Sequence, residues 1–104
     1  MTTHPSYSAD EARALLPEVR ATLLQLAVER QRPDARTPDA RAGMLALFEH
    51  LESLGVVVRD LEAGLVDFPT VRDGEPAWLC WRLSDPELAY WHTTSEGFAS
   101  RRPL

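Results

Sequence analysis

The chain contains no lysine, asparagine or isoleucine, and it has a single cysteine. Without lysine, no internal amine is available for a Schiff base or for the phosphate-binding lysine of a P-loop. One thiol, Cys80, cannot close an internal disulfide, so no disulfide framework supports the fold. No apolar run approaches the roughly 18 residues that a membrane helix needs. The opening residues Met1-Thr2-Thr3-His4-Pro5 lack the basic start and apolar stretch of a secretory leader. No membrane association is therefore expected, and the cytoplasm is the expected compartment. Nor is there a G-x-S-x-G, H-E-x-x-H, C-x-x-C or glycine-rich phosphate loop. Positive charge is sparse: eleven basic residues, all arginine, stand against sixteen acids, for a net charge of -5. Phosphate neutralisation needs clustered positive charge, so no nucleic-acid partner is expected. The absence of Lys, Asn and Ile points to a GC-rich genome rather than to a function.

What remains is 104 residues, 44% hydrophobic and 26% charged, the size and make-up of one globular domain with one core. Residues 1–7 read as a short tail in which His4 is incidental. Ser8-Ala9-Asp10-Glu11 then has the form of a capping box. Ala12, Leu15, Leu16, Val19, Leu23, Leu26 and Ala27 follow at helical spacing, which predicts a helix over about 9–30. Pro17 lies inside it and predicts a bend, because its ring removes one backbone donor; a later start, with Pro17 in the first turn, is the alternative. Thr37-Pro38-Asp39 opens a second helix over about 38–54, combining an N-cap, a proline at the first helical position and an acid at the positive helix end. Met44, Leu47, Phe48, Leu51 and Leu54 form its apolar stripe, and Gly55 stops it. Neither helix can hide its stripe alone.

After Gly55 the pattern turns extended, with strands predicted over about 56–60, 65–71, 76–83 and 88–92 and an irregular tail from Gly97. The expected fold class is α+β, an N-terminal antiparallel helical hairpin packed on a three- to four-stranded antiparallel β-meander. Asp73-Gly74 is a strong hairpin turn signal. A two-residue turn there pairs Arg72 with Glu75, Phe68 with Leu79, Asp67 with Cys80 and Val66 with Trp81. Side chains alternate along a strand, so Val66, Phe68, Leu79 and Trp81 make a core face. Asp67, Cys80 and Arg82, with Leu65 and Trp78, share the opposite face.

That second face gathers a carboxylate, a thiol and a guanidinium. It can be an Asp–Arg pair with Cys80 as apolar filler, or a polar pocket in which Asp67 acts as base or ligand. His92 depends on the length of the Leu83–Leu88 loop. A four-residue loop pairs it with Leu79 on the core face; one residue more pairs it with Cys80, giving oxygen, sulfur and nitrogen donors for a divalent transition metal. A Cys80–His92 nucleophilic pair is conceivable, but burial between Leu79 and Trp81 would leave the thiol inert. Glu49 and Glu52 belong to the solvated face of the second helix. Arg101-Arg102 can hold an anion or anchor the tail by pairing with an acid.

Gly64-Leu65-Val66-Asp67-Phe68-Pro69, Leu79-Cys80-Trp81, Trp91-His92 and Gly97-Phe98 with Arg101 occur in an order that resembles an uncharacterised prokaryotic family, domain of unknown function 2203. Glu11-Ala12 with Leu15-Leu16-Pro17 resembles the opening helix of the same family. The resemblance implies a small bacterial protein without an established activity, and it singles out Asp67, Cys80, Trp81, Trp91, His92 and Arg101. Ser84-Asp85-Pro86-Glu87 departs from the family pattern, which implies Gly-Glu there and leaves Asp85 or Glu87 as the substitute acid.

Two functions compete at this point. The first is a non-enzymatic interaction module, a homodimer or a binder of a small-molecule or protein partner, with Trp78, Trp91 and Phe98 as anchors. The second is a metal-binding protein, or a metal-dependent hydrolase, using Asp67 and His92 with Glu87 or Cys80. A sensor in which Arg101 holds an acid group is a third expectation.

Overall fold

Both helices begin where a side chain takes up backbone donors that a helix start leaves free. The computed structural model describes residues 6–104, so His4 and the opening residues 1–5 lie outside it. Ser8 Oγ accepts from the Glu11 N–H at 3.1 Å, and Glu11 Oε1 accepts from the Ser8 N–H at 2.8 Å. Helix α1 accordingly runs Ala9–Gln31 with Pro17 inside it, which excludes the later start. Helix α2 runs Pro38–Ser53, with Thr37 Oγ1 accepting from the Ala40 N–H. Tyr7, read from sequence as tail, is instead fastened down. Its N–H donates to Pro69 O, its hydroxyl donates to Leu54 O at 2.7 Å, and its carbonyl accepts from Thr70 Oγ1. Among the described residues, no helix is long and apolar enough to cross a membrane.

Five strands follow in an antiparallel meander of order β1-β2-β3-β4-β5: β1 Val57–Asp60, β2 Leu65–Arg72, β3 Glu75–Trp81, β4 Tyr90–Thr93 and β5 Arg102–Pro103. The α+β hairpin-on-meander class is as expected, with one strand more than the sequence suggested. Asp73 and Gly74 both take positive φ, 52° and 80°, as a two-residue turn of the primed type requires. The resulting ladder has every predicted pair: Arg72 with Glu75, Phe68 with Leu79, Asp67 with Cys80 and Val66 with Trp81. Gly64, at the β1–β2 turn, has φ +63°, and a Cβ there would lie 2.4 Å from Leu83 Cγ. Only glycine lets the turn close against that leucine.

The helices cover one face of the sheet. Val66, Phe68, Leu79 and Trp81 pack against Ala12, Val19, Leu23 and Leu26 of α1 and Leu51 of α2, all buried. Leu88 joins this core from the connection between β3 and β4. That connection spans residues 82–89 and corrects the predicted strand ends at 83 and 88, because Leu88 turns inward and Asp85 N–H donates to Arg82 O. The register of β4 is corrected as well, shifted by one residue from the Leu79 pairing in the direction opposite to the longer loop. His92 pairs with Trp78, and Cys80 pairs with Tyr90, so neither predicted partner of His92 is the observed one. Trp78 shares its face with Cys80 by alternation, and His92 therefore lies on the Asp67–Cys80 side of the sheet. The tail is ordered rather than irregular: Phe98–Ser100 forms a 3-10 turn and Arg102 pairs with Trp91 as β5.

Candidate functional site

On the face turned away from the helices, Asp67 of β2, Cys80 of β3 and His92 of β4 come together. Strand alternation and the Asp73-Gly74 turn align the first two, and the length of the 82–89 connection brings in the third. Each offers one ligand atom, these atoms lie within 4.8 Å of one another, and all three residues are buried. Their exposures are 1%, 1% and 2%, on the sheet face turned away from α1 and α2.

Hydrogen bonds orient Asp67 and His92. His92 Nδ1 lies 2.8 Å from Thr93 O, a group that can only accept, so this nitrogen carries the proton. Nε2 is thereby aimed at Asp67, 3.1 Å from Oδ1 and 3.0 Å from Oδ2, a contact between two acceptors that holds only with a second proton or a cation between them. Arg59 Nε donates to Asp67 Oδ2 at 2.9 Å, and its guanidinium lies 5.1 Å above the Trp78 ring. Oδ2 is thus shared by Arg59 and His92, while Oδ1 has His92 as its one partner. Burial, then the neighbouring Asp67 carboxylate, push the Cys80 thiol up to about 11, with Arg101 pulling in the opposite direction. Both nitrogens of His92 are engaged by other groups, so the Cys80–His92 nucleophilic pair is not made.

Next to this trio stands a second buried pair. Arg101 Nη1 and Nη2 donate to Asp85 Oδ2 and Oδ1 at 2.7 and 3.2 Å, and the Arg82 N–H donates to Asp85 Oδ2 at 3.2 Å. Arg101 also lies over Tyr90 and Phe98, 4.0 and 4.3 Å from their ring centroids. Burial by itself would raise Asp85, but the Arg101 hydrogen bonds, the Arg82 N–H and the two guanidinium charges outweigh it and hold the carboxyl below its ordinary value. Arg101 thus anchors the tail, and the acid it holds is Asp85 of its own chain.

The remaining expectations are corrected by the fold. Glu87 is exposed and stands outside the trio, because the connection that buries Leu88 turns it outward; Asp85 is the acid that takes the buried position. Trp81 is fully buried on the helix side and donates its indole N–H to Asp85 O at 3.2 Å, so it is core and not pocket. Trp91 packs against the core and lies beneath Arg72 and Arg102, on the face opposite His92. Arg82 shares a face with Asp67 but approaches Asp85, at 3.5 Å, while the Asp67 pair is made by Arg59. Arg59 carried no motif in the sequence. Its one signal was parity, since Val57 pairs with Asp67 and an arginine two residues on returns to the same face.

No curated protein and no solved structure matches the chain. A family model does match, over residues 27–104, about three quarters of the length. It takes in the Asp67, Cys80, His92 and Arg101 motifs and begins within α1, so the likeness of the opening residues of that helix falls outside it. On these motifs the chain belongs to the family described as Uncharacterized conserved protein (DUF2203).

Proposed function

We propose that this protein binds a divalent transition metal through Asp67, Cys80 and His92. The observation that carries the reading is the buried convergence of oxygen, sulfur and nitrogen donors within 4.8 Å on three adjacent strands. Its supporting shell is of the kind metal ligands use: Thr93 O fixes the His92 tautomer and Arg59 holds Asp67 through Oδ2. Imidazole with thiolate and carboxylate suits zinc or a similar ion, and three protein ligands leave a fourth tetrahedral position open. In an enzyme, that position would hold the water or substrate on which hydrolytic chemistry depends. Glu87 drops out of this ligand set.

The test is elemental analysis of untagged protein as purified, beside folded Asp67→Ala, Cys80→Ser and His92→Ala variants. Stoichiometric zinc, iron, manganese or nickel that the variants lose is the expected result. Protein that stays metal-free after dialysis against each ion overturns the reading.

A second reading, the homodimeric interaction module, has its own observation. Pro17, Ala21, Leu24 and Val28 are exposed at 4-3-4 spacing along the outer side of α1, Leu24 at 50% and Val28 at 63%. Such a seam suits a second copy of the same helix. Sedimentation of wild type against a Leu24→Glu/Val28→Glu variant separates the two cases: a dimer that the variant dissolves supports the module, and a monomeric wild type removes it. We place the protein in the bacterial cytoplasm, where a free thiol such as Cys80 stays reduced.

A further inference from the structure

The Asp67–Cys80–His92 trio is almost closed to solvent, but one of its immediate partners is not. Side-chain exposure is 2% for Asp67 and 3% for His92, against 44% for Arg59, whose guanidinium lies between Asp67 and open water. Arg59 spends only Nε on Asp67. Among the described residues its two terminal nitrogens have no hydrogen-bond partner, and Trp78 beneath the guanidinium plane limits how far it can swing. The other guanidinium near the trio differs in this respect. Arg101 is only 13% exposed and both its terminal nitrogens are committed to Asp85. One arginine beside the trio is thus saturated, and the other presents a free planar pair of donors at the solvent side.

A cation bound by three protein ligands keeps an open position for an exogenous ligand. A guanidinium with two unspent N–H groups beside that position matches two oxygens of a planar or tetrahedral oxyanion, bidentately and at fixed charge. A neutral ligand can accept from those donors but matches neither their charge nor their paired geometry as an oxyanion does. Resting on the metal reading above, we infer that the open position of the Asp67–Cys80–His92 metal takes an oxyanion, a phosphate or carboxylate group, held on its outer side by Arg59. Asp67 links the two halves of this site, since its carboxylate meets His92 Nε2 through both oxygens and takes on Oδ2 the Arg59 Nε that aims the guanidinium. Arg59→Lys keeps the charge but loses the fork; Arg59→Gln loses both.

The experiment uses cobalt(II) as the probe metal, because its visible bands report thiolate ligation and coordination number. The full chain is loaded with cobalt and titrated with inorganic phosphate and, separately, with acetate. Saturable band changes with at least one anion are expected, and the responding anion tells a phosphate site from a carboxylate site. Arg59→Gln loses the bond to Asp67 and is loaded with excess cobalt. It is expected to retain the thiolate–cobalt band, which shows that it is folded, and to bind the anion about tenfold more weakly, the weight of one charge-assisted contact. Arg59→Lys should fall between the two and serves as the test should Arg59→Gln fail to load. Equal anion affinity in wild type and both variants overturns the role of Arg59. Cobalt-loaded wild type that responds to neither anion overturns the oxyanion site while leaving the metal reading standing. Wild type that develops no thiolate–cobalt band overturns the metal reading and this inference together.

Discussion

Removing the carboxylate of Asp85 should cost more stability than removing that of Asp67, although Asp67 is the more buried of the two. The difference lies in what each deletion leaves behind. Asp85→Ala strands Arg101, whose side chain is 13% exposed and stacked on Tyr90 and Phe98. Breaking a buried ion pair in this way costs roughly 3–5 kcal/mol, because the remaining charge stays desolvated. Asp67→Ala strands Arg59 instead, at 44% exposure, which water can resolvate, and leaves a single buried imidazole nitrogen without its partner. The unpaired nitrogen accounts for about 1–3 kcal/mol. In a domain of this size each kcal/mol moves Tm by about 4–8 °C, so Asp85→Ala should lower it by about 12 °C or more. Thermal melting of metal-free protein, followed by the fluorescence of buried Trp81, measures both. The double variant Asp85→Ala/Arg101→Met should recover part of the loss, since it removes the stranded charge as well. An Asp85→Ala protein melting within about 3 °C of wild type, or below which Asp67→Ala falls further, would refute the reasoning.

Acid should act through the same pair. The folded Asp85 carboxyl is held below its ordinary value, so its contribution is complete above about pH 4 and is lost as pH falls through the depressed folded value. Urea midpoints of wild type should therefore fall below pH 4 more steeply than those of Asp85→Asn; parallel curves would remove Asp85 from the acid response. Gly64→Ala should destabilise more than Gly74→Ala. Both take positive φ, but a Cβ at Gly64 meets Leu83 Cγ at 2.4 Å, whereas at Gly74 it meets nothing within 4 Å. The φ strain common to both is roughly 1–2 kcal/mol, so equal urea midpoints for the two variants would contradict the contact. Cys80 in metal-free folded protein should resist iodoacetamide at pH 8, because the thiol is buried and pushed up to about 11, and should react on unfolding. Stoichiometric alkylation of the native chain within minutes would show that the site opens.

Local chemistry was legible in the sequence wherever a short stretch decides its own geometry. Ser8 to Glu11 closes a capping box whatever else the chain does, Thr37-Pro38 starts a helix, and Asp73-Gly74 imposes a two-residue turn. That turn carries the register with it, since pairing is determined once a hairpin turn is known, and so the turn alone sets Asp67 opposite Cys80. His92 could not be placed this way. Its register depends on an eight-residue connection shaped by Leu88 seeking the core and by Asp85 meeting Arg101 of the tail, contacts made at a distance. Arg59 reaches Asp67 across a strand pair that contains a bulge, which pattern alone does not reveal. Composition and turn chemistry determined the class of fold and two of the three clustered side chains. Tertiary packing decided the third, because a loop without a tight turn takes its length and path from what its residues bury, and it decided which arginine each carboxylate holds.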